Sequence, residues 1–233
     1  MKPFLLTLLV LSSTGLSAAQ EQAPLESVKA EGEATLDTNP ASSFWADARP
    51  TYAEVDANGR RMSEYRTEVR SRWTRDNLYF LFICPYKNLY LNPAPDVMRE
   101  TYGLWKWNVA EVFIGSDFHD IKRYKEFEVS PQNEWVDLDI NLNAPRHEQG
   151  WTWNSGFEHS ARVDERARVW YVAMRIPFAA LGSPEPVAGT LLRLNLFRTE
   201  GPPEDPKEIT WRPPMSGTFH VPERFGVLTL VAH

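Results

Sequence analysis

The chain has 233 residues, with 31 acidic side chains against 25 basic ones and a single cysteine. A net charge of −6 argues against nucleic acid or an anionic membrane surface as the partner. One cysteine excludes an internal disulfide, and the histidines show no paired metal spacing and no CxxCH.

In chain order, Met1-Lys2 supplies a positive charge, Phe4 to Leu11 is apolar apart from Thr7, and Ser17-Ala18-Ala19 is a small-residue cleavage pattern. Residues 1–19 therefore read as a secretory signal peptide cut after Ala19, too short to span a membrane. This places the protein outside the cell or in the periplasm. Residues 20–34 are polar and read as a flexible lead-in, so residues 35–233 are expected to form one β domain.

Residues 35–62 carry turn signals at Asn39-Pro40, Arg49-Pro50 and Asn58-Gly59. Thr67–Trp73 alternates, Arg75-Asp76-Asn77 is a turn, and Leu78–Cys84 is a continuous β-rich run suited to a strand covered on both faces. Cys84 within that run reads as a buried thiol rather than a reactive one. Pro85–Gly103 is too long and irregular for a mere connector and is expected to shape a site.

Three strand-like runs follow: Ala110–Ile114, Glu126–Val129 and Trp135–Ile140. Side chains on a strand point alternately to opposite faces. If Ala110, Val112, Ile114, Phe127, Val129, Val136, Leu138 and Ile140 face the core, the other face collects Glu111, Phe113, Glu126, Glu128, Trp135, Asp137 and Asp139. Such a face, taken as open to solvent, can stack on sugar rings, accept hydrogen bonds from hydroxyls, or hold calcium through oxygen ligands. It is equally the plain exposed face of an ordinary sandwich, with Glu111 paired to Arg123 or Arg193. Asp137 and Asp139, two apart on one strand, are the candidate metal ligands.

Residues 143–161 look loop-rich, with Trp151 and Trp153. Val169–Phe178 is a further strand, and Pro177–Gly182 is a helical turn ending at glycine. Leu192, Leu194 and Leu196 alternate with Arg193, Asn195 and Phe197. Gly201–Pro214 is a Pro-rich loop, and Phe225–Val231 is the last strand. Many strands, Pro/Gly loops and no helical periodicity predict an all-β protein, an antiparallel β-sandwich. Trp107 and Trp211 are expected in the core.

The run Trp105-Lys-Trp-Asn-Val-Ala-Glu111-Val-Phe-Ile, followed by Tyr124-Lys-Glu-Phe127-Glu-Val-Ser-Pro131-Gln-Asn133-Glu-Trp135, resembles the centre of the family 9 carbohydrate-binding modules. Ile176–Gly182 and Phe219-His-Val-Pro222-Glu-Arg-Phe225-Gly226-Val-Leu are similar to that family's later landmarks. The resemblance runs from about Thr67 to Leu230. It implies a jelly-roll-like sandwich, secreted and non-catalytic, often with structural calcium, serving as a stand-alone domain or assisting a carbohydrate-active enzyme. By motif position it implies that Trp105 and Phe219 hold a terminal sugar between their rings, with Glu111 and Asn195 reading its hydroxyls. Two positions depart from the glucan-binding pattern. Phe219 stands where those members have tryptophan, and Glu128 stands where they have a basic residue.

Two further function classes remain open on sequence grounds. Related sandwiches bind haem b for electron transfer through Met and Lys, and here Met98 or Met215 with Lys87, Lys106 or Lys125 supply the residue types. Glu111, Glu126 and Glu128 are also close enough in sequence pattern for a paired-carboxylate glycoside hydrolase. Against hydrolysis, carboxylates on an open face near arginines stay ionised and donate protons poorly.

Overall fold

Strand formation follows the alternating and continuous apolar runs, and β structure dominates the chain. The computed structural model describes residues 24–145, 151–182 and 185–233, so the leader and its cleavage site lie outside the described residues. The strands are β1 (Leu25–Lys29), β2 (Thr51–Ala53), β3 (Thr67–Trp73), β4 (Asn77–Pro85), β5 (Val109–Gly115) and β6 (Arg123–Val129). They continue with β7 (Trp135–Asn141), β8 (Glu158–Asp164), β9 (Val169–Pro177), β10 (Leu191–Glu200), β11 (Lys207–Thr210) and β12 (Gly226–Val231).

The hydrogen-bonded order is β7-β6-β5-β10-β12-β1-β3-β4-β9-β8, with β11 beside β10 and β2 beside β3. All pairings are antiparallel except those of β1, which runs parallel to both β12 and β3. Leaf one, β7-β6-β5-β10-β12, packs its inner face on leaf two, β3-β4-β9-β8. Between them lie Val69, Phe80, Phe82, Trp170, Val172 and Met174 from leaf two, against Val112, Ile114, Phe127, Leu194, Leu196 and Leu228 from leaf one. The protein is an all-β sandwich of jelly-roll type.

Strand β1 corrects the reading of residues 20–34 as a flexible lead-in. Leu25, Ser27 and Val28 are buried, and Ser71 Oγ donates to Ser27 Oγ at 2.8 Å. Both partners of β1 lie far away in sequence, so local composition gives no sign of the pairing. Strand β4 is covered on both faces as expected. Its outer side meets a second cluster around the fully buried Trp45, with Tyr79, Leu81 and Ala173. Burial pushes the Cys84 thiol up to about 12, which fits an inert core residue.

The loop-rich reading of 143–161 missed β8, whose residues alternate poorly, and β11 forms inside the Pro-rich loop. Trp211 is a core residue, and it explains Gly226. A Cβ at Gly226 would lie 2.7 Å from the Trp211 ring, so the ring lies directly on this backbone.

Inside leaf one, Arg198 is completely buried and paired with the equally buried Glu200. Arg198 also donates to the carbonyls of Tyr65 and Pro85 and to Thr67 Oγ1, while Glu200 Oε1 accepts from Lys87 N at 2.8 Å. Removing one partner leaves an uncompensated buried charge, which costs about 3–5 kcal/mol. Glu200→Leu should therefore lower unfolding stability by about that amount in urea titration. A loss below about 1 kcal/mol would show that the guanidinium is satisfied by its carbonyl partners alone.

Candidate functional site

The outer face of leaf one carries its own packed layer. Phe113 on β5, Tyr124 on β6, Val136, Leu138 and Ile140 on β7 and Phe197 on β10 are buried there, beneath Trp105, Trp107, Trp151, Phe219 and Phe225 from the loops. Opposed residues on neighbouring antiparallel strands share a face. Phe113 opposes Glu126, Glu126 opposes Leu138, Glu111 opposes both Glu128 and Phe197, and Glu128 opposes Val136. The sequence reading is thereby corrected for β7: Val136, Leu138 and Ile140 point outward with the glutamates, and Trp135, Asp137 and Asp139 point to the other side. Both faces of β7 are covered except at Asp139, so apolar alternation does not reveal which set meets the main core.

A cleft of ≈ 370 Å³ opens on this face. Trp105, Phe113, Trp151 and Phe219 supply rings to its lining, and Glu111, Glu126, Glu208, Lys106 and His220 supply polar groups. Trp105 sits on the 3-10 turn Leu104–Lys106, which follows Gly103 in a left-handed conformation (φ 89°). Tyr102 meets its ring edge-on at 5.1 Å. Phe219 stacks on Phe197 with centroids 4.1 Å apart and planes within 8°. His220 lies over Phe113, and its Nδ1 shares a 2.6 Å hydrogen bond with the Tyr124 hydroxyl.

The loop before Trp105 is held from below. Asn108 Oδ1 accepts from Tyr90 N and Gly201 N, tying the two loops at one end of the cleft to a single buried amide.

The glutamates correct a second expectation. They are not on an open face: Glu111, Glu126 and Glu128 are 1 %, 3 % and 0 % exposed. One oxygen from each lies within 4.8 Å of the others. Burial, then the charges of Glu126 and Glu208, push the Glu111 carboxyl well above the ordinary range, against a hydrogen bond from Thr199. Neither expected arginine pairs with Glu111. Arg193 donates to the carbonyls of Asp117 and Ile121, and Arg123 pairs with Asp120.

Of the four predicted sugar contacts, Trp105, Glu111 and Phe219 are brought together in the cleft and Asn195 is not. Asn195 is fully buried, donates to Arg212 O at 2.9 Å and accepts from Arg212 N at 3.0 Å, fixing the chain after β11. Sequence reading missed Trp151, Glu208 and His220 as lining residues. The tryptophan in a loop was the only signal for any of them.

Asp137 and Asp139 do not join the glutamates. Asp139 pairs with Lys125 at 2.6 Å, and buried Asp137 accepts from Ser155 N at 2.6 Å. Nor does the cleft carry a methionine among the described residues. Met98 and Met215 are exposed, Lys87 pairs with Glu64, and Lys125 is engaged by Asp139.

A larger groove of ≈ 1080 Å³ runs along residues 28–34 and past Arg49 and Arg72. It has a single aromatic residue in its lining, Phe44, and Arg72 is already committed to the carbonyls of Val28, Lys29 and Phe44. The chemistry gathers in the smaller cleft.

An all-β scaffold with an aromatic-walled, carboxylate-floored cleft has the build of a ligand-binding module. Residues 36–233 match the family described as carbohydrate family 9 binding domain-like, and the chain belongs to it. The fold matches a family 9 carbohydrate-binding module from Caldicellulosiruptor kristjanssonii solved with glucose. The TM-score is 0.65 at 14% identity, over 91% of this chain and 97% of that one. A family 9 module of the same organism solved with cellotriose gives the same score and identity, over 91% of this chain and 95% of that one. An extracellular protein of Arthroderma benhamiae is 26% identical over 157 residues, 62% of this chain and 69% of its own length. No helix among the described residues is long and apolar enough to cross a membrane.

Behind β7, Glu100 hydrogen-bonds Asp137. Burial first, then the Asp137 charge, push Glu100 up to about 7 from an ordinary 4.5. The folded state thus holds a proton on Glu100 that the unfolded chain releases between pH 4.5 and 7. The stabilising contribution of this pair is complete below that window and is lost as pH rises through it. Melting curves across the window should therefore slope down more steeply in the wild type than in Asp137→Asn. Equal slopes would mean that burial alone holds the proton on Glu100.

Proposed function

We propose that this chain is a secreted, non-catalytic carbohydrate-binding protein that takes one sugar unit of a polysaccharide, or its end, into the cleft between Trp105 and Phe219. The observation that carries the reading is the convergence of these two rings, distant in sequence, above buried Glu111. Aromatic faces bury the C–H surface of a sugar ring, and charged acceptors strengthen hydrogen bonds to hydroxyls. Family membership and the sugar-bound fold neighbours support it. The leader-like first residues and the extracellular relative support secretion. With Asn195 engaged elsewhere and Phe219 and Glu128 at the departing positions, the sugar contacts differ from those of a glucan-end binder.

One sugar in a site of this size binds with roughly −4 to −8 kcal/mol, millimolar to micromolar. Trp105→Ala should abolish the signal on a glycan array while the melting temperature falls by no more than about 4 °C, the shift expected for roughly 1 kcal/mol in a domain of this size. If the variant unfolds instead, Trp105 is a plug for the outer layer and not a platform.

The non-catalytic part of the reading rests on placement. A glycosidase needs two carboxyl groups flanking the scissile bond. Glu111, Glu126 and Glu128 all rise from one sheet floor, so they approach a ligand from one side. No reducing sugar should be released from any glycan that the protein retains. Release that disappears in a folded Glu111→Gln variant would make the protein a hydrolase, with the raised Glu111 as its acid.

A further inference from the structure

The polar lining of the cleft is lopsided. Glu111, Glu126 and Glu208 present carboxyl groups, and Lys106 is the only lysine or arginine among the described lining residues. The neutral polar groups carry bonds within the protein. Thr199 bonds the Glu111 carboxyl, Thr218 Oγ1 accepts from His220 N at 3.2 Å, and His220 Nδ1 is shared with the Tyr124 hydroxyl. The basic side chains of β6 are held by carboxylates, Lys125 by Asp139 and Arg123 by Asp120. Lys106 has no hydrogen bond or ion pair among the described residues.

Lys106 is exposed, and its place is set by the backbone. It ends the 3-10 turn that carries Trp105, and Gly103 before that turn is left-handed, a conformation glycine adopts without strain. The Lys106 stem lies along this glycine: a Cβ at Gly103 would stand 3.6 Å from Cε and 3.7 Å from Nζ. The ammonium is thereby kept at the mouth of the cleft, beside the Trp105 ring. An ammonium offers three donors and no acceptor, whereas an ionised carboxylate only accepts. Sugar hydroxyls donate and accept, but ring and bridging oxygens only accept. Carboxyls on the floor serve hydroxyl protons on the inward edge of a sugar, and the oxygens of its outward edge need a donor from the rim.

We propose that Lys106 is a specificity-determining residue of the cleft, donating from the rim to acceptor oxygens on the outward edge of the bound sugar while Glu111 and Glu126 meet hydroxyls on its inward edge. The ligand class is then an uncharged, hydroxyl-bearing glycan. The bond from Lys106 is charge-assisted and so among the stronger ones available to a sugar. This inference rests on the carbohydrate reading.

Calorimetric titration tests it, with neutral cello-, xylo- and manno-oligosaccharides set against oligogalacturonate. Lys106→Met keeps most of the stem and removes the donors. It should bind the preferred neutral oligosaccharide on the order of tenfold more weakly than the wild type, about 1.4 kcal/mol. Lys106→Arg, which keeps charge and donors, should stay nearer to the wild type than to Lys106→Met. Both variants should melt with the wild type, because the side chain is exposed. Added salt should leave the wild-type affinity unchanged, since the contact joins a cation to a neutral oxygen and not to a second charge.

Unchanged affinity in Lys106→Met overturns the role of Lys106 and leaves the carbohydrate reading intact. Equal losses in Lys106→Met and Lys106→Arg also overturn it, because the donors would not be what counts. Binding confined to oligogalacturonate and weakened by salt overturns the uncharged ligand class, since Lys106 would then pair with a sugar carboxylate. No binding of any of these oligosaccharides by the wild type, with no retention on a glycan array, overturns the carbohydrate reading and this inference with it.

Discussion

The position of β5 between β6 and β10 is the constraint on which the site depends. Each of its residues is paired on at least one side, and its alternation serves two packed layers at once. Ala110, Val112 and Ile114 enter the main core, and Glu111 and Phe113 enter the outer layer. A slip of one residue would place Glu111 in the sandwich interior and expel Val112. The core therefore fixes the register, and the register fixes the carboxylate floor. The acidic groups are held in mutual proximity by apolar packing on the opposite face of the same strands.

Loops over the outer layer convert that floor into a cleft, and buried polar groups hold the loops. Glu200 and Asn108 bind backbone amides of residues 87, 88, 90 and 201, and Asn195 binds the backbone of Arg212. Each satisfies backbone groups that a long irregular loop would otherwise leave unpaired when buried. Trp105 follows a loop anchored in this way, and Phe219 stacks on the buried Phe197, so both rings rest on the core.

Fold and function separate along the same line. The sandwich is shared with modules solved with glucose and cellotriose at 14% identity, and a scaffold so shared does not choose a ligand. The choice lies in the floor and in what tops it. Here that is a phenylalanine stacked on Phe197, a tryptophan on a 3-10 turn and a carboxylate at position 128.

Much of this was readable from the chain. Alternation gave β3, β5 and β6, the continuous apolar run gave the doubly covered β4, and ordered motifs gave the family and the pairing of Trp105, Glu111 and Phe219. These signals are local, or keep a fixed order along the chain. Tertiary structure alone decided the rest. Strand β1 forms only because β12 and β3 offer it two parallel edges from far away in sequence. The outward turn of Leu138 and the burial of Glu126 depend on a layer built from loops at 104–107, 151 and 219, since a strand covered on both sides carries no mark of which side is which. Asn195 alternates as a site residue should. Its amide instead meets the Arg212 backbone, a partner that exists only once the chain has folded back along β10.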